Sequence, residues 1–461
     1  SYYTNKYDFV HILFGRFFMN IELSEHFTYR KLLRFTFPSM VMMVLTSVYG
    51  VVDGFFISNF IGAEPFAAVN IIMPFLMIFG AVGFMIGTGG SALVAFTLGT
   101  GDKKKANEIF SLLVYLLIGL GILFTVIGEI FVEPISRLLG ADAAMLPYCV
   151  TYGRILMLAL IPFMLQNVFQ SFFVTAEKPH LGLRVIVIAG VTNMVLDFLF
   201  VAVLHLGLPG AGFATVCGEF IGGLFPLFYF GRKNSSLLKL GKTHFHGRIL
   251  LKTCTNGSSE LMTNLSSSVV NALYNMQLMK FAGEDGVAAY GTIMYVNFIF
   301  VSIFFGYAIG SAPIVSYHYG ANNQNELKNL FHKSIRLIGT WAVSLFIIAQ
   351  LIATPLATLF VGYDQGLFEL TRSGFRLYSF AFLINGFNIY GSAFFTALNN
   401  GLLSALISFL RTLVFQMAIV LLLPLILGIN GVWCSVAIAE LLTLCVTGTF
   451  IVLKRNTYHY L

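Results

Sequence analysis

The sequence has few charged residues. Asp, Glu, Lys and Arg make up only 10% of its 461 positions, while 57% are hydrophobic; ordinary soluble domains hold roughly 25% charged residues. A soluble core of this size would give nearly every helix a polar face, yet most of the long segments here are apolar all round. The shortage of charge therefore excludes a soluble globular protein and indicates a polytopic membrane protein.

The sequence also lacks the short motifs of common enzymes. GTGDKKKA at 99–106 has no GK[ST], which a P-loop needs, and neither an HExxH motif nor a Ser-His-Asp order is visible. The five cysteines show no paired spacing, so we interpret them as small buried side chains. His244 and His246 have the spacing to chelate a metal, but a solvated loop explains them more often. We expect no enzyme activity, no cofactor and no drive by ATP.

Long hydrophobic runs recur from Phe35 to Leu453. Each is long enough to cross the hydrocarbon core of a bilayer, about 30 Å thick, as a helix. Hydropathy combined with turn and charge signals predicts twelve transmembrane helices. The predicted spans are 35–58, 66–98, 108–131, 148–175, 185–204, 212–230, 256–281, 287–319, 334–359, 373–396, 405–427 and 431–452.

The lysines and arginines predict how these helices are oriented. If the first helix starts in the cytoplasm, 21 of them fall in inside segments and only four at outer ends, in agreement with the positive-inside rule. The net charge of +7 is therefore a topology signal, and it gives little support to a nucleic-acid partner. We expect a multi-pass protein of the plasma (inner) membrane, surrounded by lipid, with both termini in the cytoplasm.

The chain repeats itself at a fixed offset of 221 positions. Identical pairs run along its length, among them Gly89/Gly310, Gly99/Gly320, Asn167/Asn388 and Glu219/Glu440. Each copy holds six spans, an even number, so the halves must share one orientation, and a cavity is expected between them. The predicted fold class is an all-α polytopic membrane protein with twelve helices in two parallel, pseudo-symmetric six-helix bundles. The predicted divisions are an N-terminal segment, an N-terminal lobe, a linker, a C-terminal lobe and a tail, at 1–34, 35–230, 231–255, 256–452 and 453–461.

The two copies differ in their buried polar residues. Asp53 in span 1 corresponds to Tyr274, while Asn193 and Asp197, one turn apart on one face of span 5, correspond to apolar residues. Acids inside a membrane are costly when they face lipid, so they line an interior or a cavity. Together with Thr215 in span 6 they supply hard oxygen ligands suited to a proton or Na⁺. The alternative is a pair of satisfied acids that only stabilises the bundle.

Other polar side chains in the spans either line a substrate cavity or join helices by hydrogen bonds. The candidates for the cavity are Tyr49, Gln166, Asn167, Glu219, Asn271, Tyr274, Asn275, Asn388 and Glu440. Glu260, near the start of span 7, suits helix capping as well as a substrate role. Arg154 and Arg411 are expected to pair with acids or to extend toward the membrane surface.

Three segments carry a family resemblance. VVDGFFISNFIGAEPFAA in span 1, TNMVLDFLF in span 5 and the following GLPGAG, set in twelve spans, resemble the multidrug and toxic compound extrusion (MATE) family, especially its DinF- and MepA-like bacterial branches. The resemblance covers essentially the whole chain. It implies a V-shaped pair of bundles that exports amphipathic, often cationic compounds in exchange for H⁺ or Na⁺ by alternating access.

The resemblance also implies a cation site. DinF-like members use an aspartate of span 1, an Asn and an Asp four apart in span 5, and a threonine of span 6. The matching residues here are Asp53, Asn193, Asp197 and Thr215. No acid lies in the middle of spans 7 or 8, so the C-terminal Na⁺ site of other members is doubtful. Apart from Na⁺ at Asp53 and Asp197, no metal is expected.

Two alternatives remain open. A lipid-linked oligosaccharide or lipid flippase of a related superfamily would have similar spans, but would carry several cationic residues along its cavity, and only Arg154 and Arg411 qualify. A membrane enzyme would need a reactive constellation, and none is visible. The expected partners are small organic molecules and lipids, and two lobes in one chain make a monomer sufficient. The sequence chooses neither the substrate nor the coupling ion.

Overall fold

The computed structural model of the protein describes residues 21–461, so the first 20 residues of the predicted N-terminal segment lie outside the described residues. From residue 21 onward the chain is almost entirely helical and contains no strand. The helices are α1 (Tyr29–Phe56), α2 (Ala63–Gly99), α3 (Lys103–Leu138), α4 (Leu146–Met157), α5 (Leu160–Thr175), α6 (Pro179–Asp197), α7 (Gly207–Gly231), α8 (Gly247–Gly320), α9 (Gln324–Val361), α10 (Gln365–Tyr378), α11 (Asn385–Ala397), α12 (Gly401–Phe409), α13 (Gln416–Leu422), α14 (Pro424–Leu427) and α15 (Ile429–Tyr458).

These helices account for the predicted membrane spans. Within residues 21–461, ten helical stretches are long and apolar enough to cross a membrane, and α4 with α5 forms a further span bent by 59°. Helix α8 contains two passes, because its backbone breaks at Gly283 (φ 62°, ψ −149°). The rings of Tyr274 and Tyr290, on either side of this break, stack with 5.4 Å between centroids, whereas a straight helix would hold them about 24 Å apart. The chain therefore reverses at Gly283, and the predicted all-α polytopic fold is confirmed.

Several helices begin earlier than hydropathy predicted. Helix α1 begins at Tyr29, where the Thr28 side chain accepts a hydrogen bond from the Lys31 N–H, and α8 begins at Gly247, inside the predicted linker. Polar first turns that emerge from the bilayer give no hydropathy signal. Glu260 consequently lies more than three turns inside α8, so the helix-capping role considered for it is wrong.

Helices α1–α7 form what we call the N-terminal lobe, and α8–α15 form the C-terminal lobe. Each has its own buried hydrophobic core, and α8 contacts both α1 and α2 across the boundary. A Cβ atom on Gly99 would overlap the carbonyl oxygen of Tyr317, and one on Gly320 would overlap that of Phe96. Only glycine lets two helices approach so closely.

This contact lies at one end of the molecule. We call it the basic end, because the adjoining segments 99–105, 176–184, 232–252 and 321–336 carry most of the lysines and arginines. Toward the other end the lobes enclose a cavity of about 420 Å³. Its lining is mainly aliphatic and aromatic, and includes Val48, Val51, Phe55 and Phe66 from one lobe and Tyr295, Val296, Ile299 and Phe360 from the other. The lobes therefore touch at the basic end and separate toward the opposite end.

Candidate functional site

A second cavity, of about 200 Å³, lies within the N-terminal lobe between α1, α2, α4, α5, α6 and α7. Most of its wall is apolar, and the polar side chains in it are Thr46, Tyr49, Asp53, Tyr152, Gln166, Asn193, Thr215 and Glu219. No Lys, Arg or His from the described part of the chain lines it. Pockets that enclose drug-sized ligands measure roughly 300–1,000 Å³, so this cavity fits an ion or one charged group of a larger molecule.

Helix α1 contributes Asp53 to this cavity. Thr46, Tyr49 and Asp53 are spaced three and four residues apart, which places them on one helix face, and all three line the wall. The Tyr152 hydroxyl donates to Asp53 Oδ2 at a long 3.5 Å, and Oδ1 is buried without a hydrogen-bond partner in the described chain. A π-helical turn, Ile57–Ile61, follows directly; such turns are frequent at functional sites.

Helix α6 contributes Asn193 and Asp197. The Asn193 amide donates to Thr215 Oγ1 at 3.4 Å, and the Thr215 hydroxyl in turn donates to the Ala211 carbonyl at 3.2 Å. Asp197 is the last residue of α6 before a π-helical segment. Both of its carboxyl oxygens are buried without a partner among the described residues, and it lies close enough to Asp53 for the two carboxylates to interact.

These surroundings limit what the acids can hold. An ionised carboxylate buried with few donors is unfavourable by several kcal/mol, and a bound proton or cation would offset this cost. The carboxyl oxygens of Asp53 and Asp197, with the side-chain oxygens of Asn193 and Thr215, form a set of hard ligands suited to H⁺ or Na⁺. The structure thus brings the four predicted cation-site residues into one neighbourhood.

Tyr152 is a site residue that sequence reasoning missed. It is fully buried in α4, and its hydroxyl donates to Asp53. A signal was present, because Tyr152, Leu156, Phe163 and Gln166 recur at helical spacing and all line the cavity. Spacing alone did not show that this face meets Asp53, because that contact joins two different helices.

The nine predicted cavity residues separate into two groups. Tyr49, Gln166 and Glu219 line the N-terminal-lobe cavity. Within the described chain none of the nine lines the cavity between the lobes. Polar side chains in a membrane are more stable when paired inside a bundle, and six of the nine lie outside both cavities: Asn167, Asn271, Tyr274, Asn275, Asn388 and Glu440.

None of these six contacts the acid site, and four of them have separate surroundings. Asn167 donates to the Gly80 carbonyl at 3.4 Å, which joins α5 to α2. Asn271 accepts from the Tyr290 hydroxyl at 3.0 Å, and Tyr274 stacks on the same Tyr290 ring. Asn275 is exposed on α8. They hold helices together or face outward, which is the alternative that the sequence left open.

Asn388 and Glu440 belong to a closed network in the C-terminal lobe. Arg411 Nε and Nη2 each donate to Glu440 Oε1 at 2.8 Å, and the Asn388 amide donates to Glu440 Oε2 at 2.7 Å. All three residues are buried. Arg154 pairs instead with Glu129 at 3.6 Å. Both arginines therefore pair with acids, as predicted.

The chain forms many membrane passes, arranged in two lobes that touch at one end, and one lobe contains a buried cavity lined by acidic residues. These features define a membrane transporter rather than an enzyme. A family model supports this class: the MatE model matches twice, at residues 38–199 and at 261–422, which together span more than half of the chain. The chain belongs to the MatE family, the multidrug and toxic compound extrusion family that its sequence resembles.

Individual relatives match over nearly the full length. Multidrug export protein MepA of Staphylococcus haemolyticus is 23% identical over 423 residues, which cover 91% of this chain and 92% of the relative. Multidrug export protein MepA of Staphylococcus aureus (strain MRSA252) is 22% identical over 428 residues, covering 92% and 93%.

Solved structures share the fold. A crystal structure of MATE in complex with MaL6 superposes with a TM-score of 0.89 at 22% identity, covering 94% of this chain and 98% of the other. An outward-facing conformation of a multidrug resistance MATE family transporter of the MOP superfamily gives a TM-score of 0.88, also at 22% identity, covering 94% and 97%.

Proposed function

We propose that this protein is a secondary active exporter of amphipathic, often cationic compounds, which it exchanges for H⁺ or Na⁺ by alternating access. The curated relatives are multidrug export proteins, and the lobes touch at the basic end and enclose a cavity toward the other end, as one state of an alternating-access cycle requires. The observation that carries the proposal is the cluster of acids in the N-terminal lobe, whose cavity lacks any Lys, Arg or His from the described residues.

The coupling ion binds at Asp53 and Asp197. Asp53 lies on α1, which also packs against α8 of the other lobe; for example, the Ser47 and Ser302 hydroxyls are in hydrogen-bond contact. Neutralisation of Asp53 changes how α1 packs and favours one of the two access states, whereas bound cargo favours the other. Such coupling requires each ligand to bind the two states with different affinity.

We further propose that the basic end faces the cytoplasm of the plasma membrane, because lysine and arginine accumulate on that side of bilayers. The structure then corresponds to an outward-open arrangement. Large apolar side chains such as Leu138, Leu351 and Leu359 are exposed on the outer helix faces, as expected of contact with lipid. The complete acid cluster lies within one chain, so a monomer suffices.

Transport into vesicles tests the proposal. Purified protein in liposomes is given a pH step in Na⁺-free buffer, or a Na⁺ step at constant pH, and ethidium movement is followed by fluorescence. Asp53→Asn should abolish the response to the ion gradient. Glu129→Gln makes the same chemical change in a membrane helix outside the cavity, and should transport normally. Intact, ion-dependent transport by Asp53→Asn would contradict the proposal.

A further inference from the structure

The repeat offers an internal comparison for Glu219. Its counterpart in the other lobe is Glu440, which the Arg411 guanidinium neutralises and to which the Asn388 amide donates a hydrogen bond. A buried acid of that kind has a fixed charge partner supplied by the protein. Glu219, the corresponding acid in the N-terminal lobe, lacks such a partner among the described residues.

The counterpart of Arg411 is Gly190. The ring of Tyr49 fills this position so completely that a Cβ on Gly190 would overlap it, and the Tyr49 hydroxyl donates to the Ile186 carbonyl at 3.2 Å. The counterpart of Asn388 is Asn167, which donates to the Gly80 carbonyl at 3.4 Å. The guanidinium that neutralises the acid in one lobe is thus replaced in the other, and the asparagine amide that donates to it is directed elsewhere.

Glu219 retains one neutral neighbour, the side-chain amide of Gln166. Gln166 is only 9% exposed, and its carbonyl oxygen lies against Gly222, where any Cβ would overlap it. This contact holds the amide in place. Glu219 Oε2 is buried without a hydrogen-bond partner in the described chain, although Glu219 lines the cavity.

We propose that Glu219 binds the positively charged group of the cargo, a protonated or quaternary amine, which takes the role that the Arg411 guanidinium has beside Glu440. This inference rests on the proposed export function and makes Glu219 a specificity-determining residue of that transport. Tyr49 and Phe163 contribute aromatic walls to the same cavity, and ring faces attract desolvated cations.

The position of Glu219 also explains how cargo and ion exchange. Glu219 lies one helical turn from Thr215 on the same face of α7, and Thr215 neighbours Asp53. Glu219 and Asp53 therefore line the same cavity. Two cations in one low-dielectric cavity repel each other, so binding of one favours release of the other.

Choline and 3,3-dimethylbutan-1-ol test the assignment, because they have nearly the same shape and differ in charge. Their affinities are measured by ligand-observed NMR titration of the protein in lipid nanodiscs, without any ion gradient, and empty nanodiscs give the baseline. Wild-type protein should prefer choline. Glu219→Gln should weaken choline binding about tenfold or more, with alcohol binding unchanged within a factor of two. Glu129→Gln, the matched acid-to-amide control, should keep the preference, and so should Glu219→Asp.

Two results overturn the assignment of Glu219 but leave the exporter intact: unchanged choline affinity in Glu219→Gln, or an equal loss of both ligands, which indicates a structural role. Failure of the export function has a different readout, since wild-type protein would then move no ethidium in the vesicle assay. Normal vesicle transport with no charge preference in nanodiscs therefore refutes only the inference made from Glu219.

Discussion

Gly99 lies where the two lobes touch, and its replacement by alanine should open the basic end. A Cβ there would overlap the carbonyl oxygen of Tyr317 on α8 and lie 2.9 Å from the amide nitrogen of Ala321. The obstacle is backbone, which cannot rotate away like a side chain. The Tyr317 carbonyl also accepts the Ala321 N–H at 2.9 Å and so caps α8, and a shift of this group would break the cap.

The size of the effect follows from the clash. Added methyl groups in tightly packed contacts typically cost about 1–3 kcal/mol. The cost applies only to the state in which the basic end is closed, because separated lobes leave room for the methyl group. A penalty of that size shifts the balance between two states by about 5- to 150-fold. Gly99→Ala should therefore populate the arrangement that is open at the basic end.

The shift can be measured as a distance. Lys104 and Lys328 are exposed on opposite lobes at the basic end, so each can be replaced by cysteine and spin-labelled. Pulsed electron paramagnetic resonance should show longer distances for Gly99→Ala than for the parent, and ethidium export should fall. Gly119→Ala is the control, because no atom lies within 4 Å of a Cβ there.

An unchanged distance distribution together with unchanged export would refute the reasoning, since the glycine would then be dispensable for closure. Gly320 provides an independent check. It is the repeat counterpart of Gly99, and a Cβ on it would overlap the Phe96 carbonyl oxygen. Gly320→Ala should therefore open the same end to a similar extent.

Three further changes have expected outcomes. Glu440→Gln removes the carboxylate that Arg411 contacts at 2.8 Å and should lower stability by about 3–5 kcal/mol, measured as thermal unfolding in detergent, whereas an unchanged midpoint would argue against the ion pair. Tyr152→Phe removes the donor to Asp53 Oδ2 and should alter the pH or Na⁺ dependence of ethidium export more than its maximal rate. Glu326→Ala removes the acceptor of the Phe27 N–H at 2.9 Å, and hydrogen-exchange mass spectrometry should show faster exchange in residues 21–28.

The helices and part of the acid site could be predicted from sequence. Membrane helices follow from the length of apolar runs, and the shared face of Tyr49 and Asp53 follows from helical spacing within a single element. Asn193 and Asp197 became candidates because their repeat counterparts are apolar. Properties that depend on one helix at a time are readable from sequence.

Properties that depend on how helices pair were not readable. Glu440 was expected in a cavity, but its role depends on Arg411, which lies on a different helix and reaches it only in the folded lobe. Tyr152 was missed because its contact with Asp53 joins two different helices. The spacing of residues in the sequence predicts which face of its own helix a side chain occupies. It does not predict which residue of another helix that side chain contacts.

Comparison of the two lobes supports placing the acids whose charge changes during the proposed exchange in the N-terminal lobe. In the C-terminal lobe Arg411 supplies a permanent cation to Glu440, so neither ion nor cargo can alter the charge of that pair without breaking a buried ion pair. In the N-terminal lobe Gly190 and the Tyr49 ring take the place of that cation. No Lys, Arg or His from the described residues lines the cavity that holds Glu219, and under the proposal above a bound cation supplies its counter-charge.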